Sequence, residues 1–160
     1  SYLRRSVMMK IAIDASVLVA LLDSRDQWNR KAAVLHDALQ KGGVIPTYFD
    51  CVTAEAISAT FRRLHEKNRS AEVTTVLDRL RALTPQRKLT WICPDVPRLY
   101  PQVLDLMQES SGALNFNDAL IALACRERDI PAIASFDADF DQVAWLKRIA
   151  EPGDLPIANG

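Results

Sequence analysis

Four acids in this chain of 160 residues have the types and positions to do phosphate chemistry: Asp14, Glu55, Asp118 and Asp137. Asp14 and Asp137 close two short apolar runs, residues 10–13 and 131–134, that read as strands. In open α/β sheets the ligand crevice lies outside the carboxyl ends of the strands, so both acids point to one edge. Glu55 and Asp118 fall in the first turns of predicted helices, which face the same edge in a parallel layout. Four carboxylates gathered there raise one another's pKa and oppose folding unless a cation neutralises them. Mg2+ or Mn2+ fits, because these hard ions take oxygen ligands and keep several waters. One or two such ions lower the pKa of a bound water and stabilise the oxygens of a phosphodiester undergoing attack. Ser16 and Ser135 stand two residues from Asp14 and from Asp137, and in extended chain their hydroxyls project to the same side, placed to orient ligands or water.

Each acid also has a plainer use. Asp118 at a helix start is a normal cap, Glu55 a partner for the helix dipole, and Ser16 and Ser135 ordinary turn residues. Asp14 is harder to explain away, since an ionisable group between an apolar strand and an apolar helix has few structural uses. Other chemistries fit less well. The two histidines, His36 and His65, fall on predicted helix surfaces away from the acids, which argues against a histidine-centred hydrolase. The run from Asp137 to Asp141 imitates the start of a calcium loop, but Gln142 and Arg148 stand where that loop needs glycine and glutamate. No glycine-rich phosphate cradle is present. Arg62, seven positions beyond Glu55, is followed by Arg63, Lys67 and Arg69, a local basic surface able to hold a phosphate backbone; a solvated helix face is its plainer use.

The elements that must position these residues alternate. A strand over 10–13 leads into a helix from Ser16 to Leu22, and a second helix runs from Asp26 to Gln40 with Trp28, Ala32, Leu35 and Leu39 on one stripe. Residues 43–46 suggest a second strand. Thr53 is expected to cap a helix carrying Glu55, Ile57, Phe61 and Leu64, and Ser70 another through Leu80, the pair making a hairpin arm. A strand over 89–92, a helix over 96–108, an almost wholly apolar helix over 116–125 and a strand over 131–134 complete the pattern. Strands alternating with helices imply an α/β fold with a mainly parallel central sheet flanked by helices. With 49% hydrophobic and 25% charged residues, the chain supports a single core, set here at residues 9–150 between an extension (1–8) and a tail (151–160). Met8 or Met9 reads as a natural start. Lysine plus arginine equal aspartate plus glutamate at 20 each, so nucleic-acid binding would rest on local patches. Cys51, Cys93 and Cys125 lack zinc-site spacing and read as buried thiols in a reducing cytoplasm. No apolar stretch is long enough for a membrane helix.

Four segments together resemble the PIN-domain nucleases, and among them the VapC toxins of bacterial toxin–antitoxin pairs: residues 11–22 around Asp14, 52–55 ending in Glu55, 114–122 around Asp118, and 133–140 around Asp137. The resemblance spans about Met9 to Leu146. It implies a Rossmann-like PIN fold of three layers, Mg2+ or Mn2+, and endonucleolytic cleavage of RNA. It assigns Asp14, Glu55, Asp118 and Asp137 to the family's acidic positions, Asp139 to a frequent additional acid that would join the metal ligands, and Ser16 and Ser135 to its hydroxyl positions. Family members of this size pair as homodimers and are restrained by a cognate VapB-like antitoxin that wraps the helical arm; Trp28, Phe61 and Leu64 are candidates for an apolar groove receiving it. Two other readings compete. One is a PIN nuclease of RNA processing with no antitoxin. The other is a non-catalytic magnesium-binding domain of receiver type, which would need a lysine after the last strand, where Ser135, Phe136 and Asp137 stand.

Overall fold

The computed structural model describes residues 8–156. The predicted extension, apart from Met8, and the last four residues of the predicted tail lie outside the described residues. Five parallel strands form one sheet in the order β3-β2-β1-β4-β5: β1 Lys10–Ile13, β2 Ile45–Phe49, β3 Leu89–Thr90, β4 Ala132–Ala134 and β5 Lys147–Ile149. The helices are α1 Ala15–Leu22, α2 Asn29–Lys41, α3 Asp50–Glu66, α4 Val73–Leu83, α5 Val96–Glu109 and α6 Phe116–Glu127. The first crossovers run outward from β1 through β2 to β3, and the next returns across the sheet to β4. Right-handed connections therefore put α1–α4 on one face and α5–α6 on the other, consistent with α1 packing on α2, α3 and α4 and α5 packing on α6. The order reverses between β1 and β4, and the crevice of such a sheet opens at that reversal.

The central strands bury every residue past the first, with Ile11 and Ile13 facing a core that includes Leu18, Leu22, Tyr48, Phe49, Leu64 and Phe140. Burial on both sheet faces explains why β1 and β4 read as unbroken apolar runs rather than alternating ones. Helix α6 is buried from Ala119 to Cys125, as its apolar sequence predicts, and the indole N–H of Trp145 donates to the Ala122 carbonyl at 2.8 Å.

Several expectations are corrected. Helix α3 begins at Asp50, not after Thr53, so Thr53 sits buried inside the helix with its hydroxyl unpartnered. The early start follows from Asp50 itself: its buried carboxylate accepts the N–H groups of Ile92 (2.9 Å) and Cys93 (3.0 Å), fixing the β2–α3 junction against the chain beyond β3. That contact also ends β3 after Thr90, two residues earlier than predicted. Ser70 opens a short 3-10 turn, Ser70–Glu72, ahead of α4. Strand β5 was not anticipated; it is short, carries Lys147 and Arg148, and blunts the sheet edge with charge. Of the three cysteines, all free, only Cys125 is buried; Cys51 is half-buried and Cys93 exposed. In the tail, Asp154 accepts the N–H groups of Ala150 and Glu151, and Leu155 packs on the core.

Candidate active site

Asp14 is the residue at which β1 stops. Its N–H continues the ladder to the Ala134 carbonyl (2.9 Å), and its own carbonyl accepts the first N–H groups of α1. The side chain is 6% exposed. Two hydroxyls donate to the same carboxylate oxygen, Oδ2: Ser135 at 2.7 Å and Ser16 at 2.9 Å. Each hydroxyl is used twice, since Ser16 Oγ accepts the Phe136 N–H (3.1 Å) and Ser135 Oγ accepts the Asp137 N–H (3.0 Å). The ends of β1 and β4 are thus stitched together through the two serines. Burial pushes the Asp14 carboxyl above its ordinary 3.8, with the two hydroxyls opposing the rise.

Asp118 does two things at once. With Asn115 it forms a capping box: Asn115 Oδ1 accepts the Asp118 N–H (2.9 Å), and Asp118 Oδ2 accepts the Asn115 N–H (3.4 Å). The same carboxylate faces the crevice, where burial, and after it the charges of Asp14, Asp137 and Glu55, push it up to about 6. Glu55 lies in the second turn of α3, not the first as expected, because that helix starts early. Partial burial and the charge of Asp14 raise its carboxyl too. Asp137 caps the 3-10 turn Ala138–Gln142 by accepting the Asp139 N–H at 2.9 Å.

Asp14, Glu55, Asp118 and Asp137 line one cleft of about 350 Å³, together with Ser16, Asn115, Arg63, Asp26, Gln27 and Trp28. Asp139 is exposed and outside that lining, and Ser135 is buried behind Asp14. Arg62 and Lys67 are exposed and outside it as well. Arg63 does reach the cleft, but its guanidinium is held by Asp26 (2.8 Å) and Asp23 (3.1 Å). Arg69 pairs with the fully buried Asp23 (2.7 Å) and with Glu72 (2.6 Å). The predicted basic surface is therefore half consumed by internal ion pairs. The expected apolar groove is not formed: Leu64 is fully buried, Phe61 packs against the core, and Trp28 faces the acids.

Among the described residues, no three of His, Cys, Asp or Glu stand close enough to clasp an ion between them. The acids share one cleft without forming a closed cage. An all-oxygen donor set, open to water and electrostatically strained at Asp118, suits a hard divalent ion that keeps part of its hydration shell. A larger hollow of about 420 Å³, lined by Lys10, Lys88 and Arg128, opens at the amino ends of β1 and β2 and contains no acid. The residues that sequence reasoning missed are Asn115, whose only local signal is the cap pattern ahead of α6, and Gln27 and Trp28.

Comparison with known proteins bears on the family and the fold. A family model for the PIN domain matches residues 11–146. Among solved structures, the fold is similar to that of Mycobacterium tuberculosis VapC20, a toxin that cleaves the sarcin–ricin loop; the TM-score is 0.57 at 19% identity, covering 84% of this chain and 95% of that one. No curated protein sequence matches the chain.

Proposed function

Because the chain belongs to the PIN domain family, we propose that it is a divalent-metal-dependent endoribonuclease and the toxin of a VapBC-type toxin–antitoxin pair. The observation that carries the reading is the convergence of Asp14, Glu55, Asp118 and Asp137 on one cleft at the sheet's reversal point. These four would hold Mg2+ or Mn2+ in part through bridging waters, since no three of them stand close enough for direct ligation, and the ion when bound supplies Lewis acidity toward water and phosphate oxygens. Ser16 and Ser135 fix Asp14 by loading both of their O–H donors onto one of its oxygens, so its orientation is set before substrate arrives. The Asn115 amide supplies a donor on the cleft wall for phosphate oxygens. Asp139, two residues beyond Asp137 and outside the lining, would act through water.

An RNA substrate and a toxin role are supported by the likeness to VapC20; the family resemblance adds a VapB-like antitoxin and a homodimer. Among the described residues no helix is long and apolar enough to cross a membrane. Purified protein incubated with a structured ribosomal RNA fragment and Mg2+ or Mn2+ is expected to cleave it, with Asp14→Asn at least 100-fold slower. Equal cleavage by parent and variant, or none by either, counts against the assignment. A small reading frame adjoining the gene, whose product binds the purified chain and suppresses cleavage, separates the toxin from a processing nuclease.

A further inference from the structure

Trp28 breaks a rule that its neighbours obey. Its spacing places it on the buried stripe of α2, and Ala32, Leu35 and Leu39 are buried accordingly, yet Trp28 lies just ahead of the helix and stays 40% exposed. It lines the acid cleft. At this place beside the carboxylates the indole offers an occupant of the cleft a flat apolar face.

The residue is also held in place. Asp26 Oδ1 accepts the Trp28 backbone N–H at 2.8 Å, which fixes the main chain, and the indole meets the Phe136 ring edge-on, with centroids 5.2 Å apart and planes at 65°. Phe136 lies between Ser135 and Asp137, so the indole is registered against the acid cluster itself. Lys31 places its ammonium 4.9 Å from the centre of the same Phe136 ring. Phe136 thus joins an indole at the acid cleft to a cation outside the cleft lining.

We propose that Trp28 is a stacking platform for an unpaired nucleobase of an RNA strand whose phosphodiester lies at the acids, with Lys31 receiving a neighbouring phosphate and Gln27 the base edge. The inference rests on the nuclease reading. Bases inside a duplex are already stacked and cannot lie on the indole, so the platform selects single strands, loops and bulges. Stacking accepts any base, so it sets the form of the RNA rather than its sequence.

The test is an anisotropy titration in chelator with three end-labelled probes, from which every affinity is taken, tryptophan emission of the parent being read beside it: a single-stranded hexaribonucleotide, the same strand in a duplex, and the same strand with abasic residues. The single strand is expected to quench tryptophan emission, and the duplex and abasic strands to bind at least fivefold more weakly. Trp28→Phe keeps affinity within about threefold, whereas Trp28→Leu, which retains apolar contact with Phe136, loses roughly 5- to 150-fold in affinity. With metal present, Trp28→Leu raises KM for the single strand more than it lowers kcat. No binding by the parent, equal binding by parent and Trp28→Leu, or no discrimination against the abasic strand overturns the proposal. The titration needs no metal and reads no cleavage, so a failed cleavage assay would strike the nuclease reading and leave this result standing.

Discussion

Replacing Asp118 by asparagine should make the metal-free protein more stable. Its carboxyl is raised from the ordinary 3.8 to about 6, roughly two pH units, and at about 1.4 kcal/mol per unit the ceiling on the penalty at neutral pH is about 3 kcal/mol. Asp118 is only half-buried, so solvent screening cuts that to about 1–1.5 kcal/mol. The capping box survives, because the asparagine oxygen still accepts the Asn115 N–H. In a domain of this size each kcal/mol moves the melting temperature by about 2–4 °C, so Asp118→Asn should melt roughly 2–6 °C above the parent at pH 7.5 in chelator. The sign fixes a pH window. A carboxyl whose pKa is raised by folding binds more protons in the folded state between about 4 and about 6, so its cost is absent at pH 4 and fully developed above pH 6. The advantage of the variant must therefore vanish at pH 4. Adding Mg2+ should reverse the order at pH 7.5, since an ion that binds only the folded parent stabilises it by about 2.7 kcal/mol at a hundred times its Kd. Calorimetry at the two pH values, with and without metal, checks each step. An unchanged melting temperature at pH 7.5, or the same gain at both pH values, would refute the idea that charge crowding strains this site.

Asp23→Ala should destabilise the fold by about 3 kcal/mol in urea titrations, because it leaves Arg69, whose side chain is 9% exposed, with Glu72 alone beside a buried void. Contacts with Arg69 and the other partners hold the Asp23 carboxyl down at about 2, so its contribution is present above pH 4 and lost as pH falls through about 2; acid unfolding of Asp23→Asn should lack that component. Thr60→Val should raise stability by about 1 kcal/mol, since the Thr60 hydroxyl is fully buried without a partner and valine has the same shape; a lower melting temperature would show that the hydroxyl is satisfied in solution.

The parts of the site that sequence discloses are those on the central strands. Lys10–Ile13 and Ala132–Ala134 are short, apolar and terminated by polar residues, so the positions of Asp14, Ser135 and Asp137 follow from local pattern alone. What sequence hides depends on partners distant in the chain. Thr53 looks like the cap of α3, but the helix begins earlier because Asp50 is engaged by Ile92 and Cys93, some forty residues on. Arg63 and Arg69 look like a solvated basic face until Asp23 is seen to bind both from the end of α1. Trp28 fits a helical stripe by spacing and leaves it because Asp26 and Phe136 hold it elsewhere. β5 has three residues, two of them cationic, and exists only because the edge of β4 offers its register.

The two serine bridges have a mechanical consequence. Asp14 and Ser135 extend the hydrogen-bonding of the innermost strands, their N–H groups bound to Ala134 and Ile149, so this side of the cleft is expected to open only with the whole domain. Glu55 and Asp118 are carried on helices, whose first turns are held by side-chain contacts rather than by the sheet ladder. Their amides should exchange with deuterium long before that of Asp14. Such a division lets a rigid anvil keep its shape while the opposing jaw adjusts to whatever strand is laid across it.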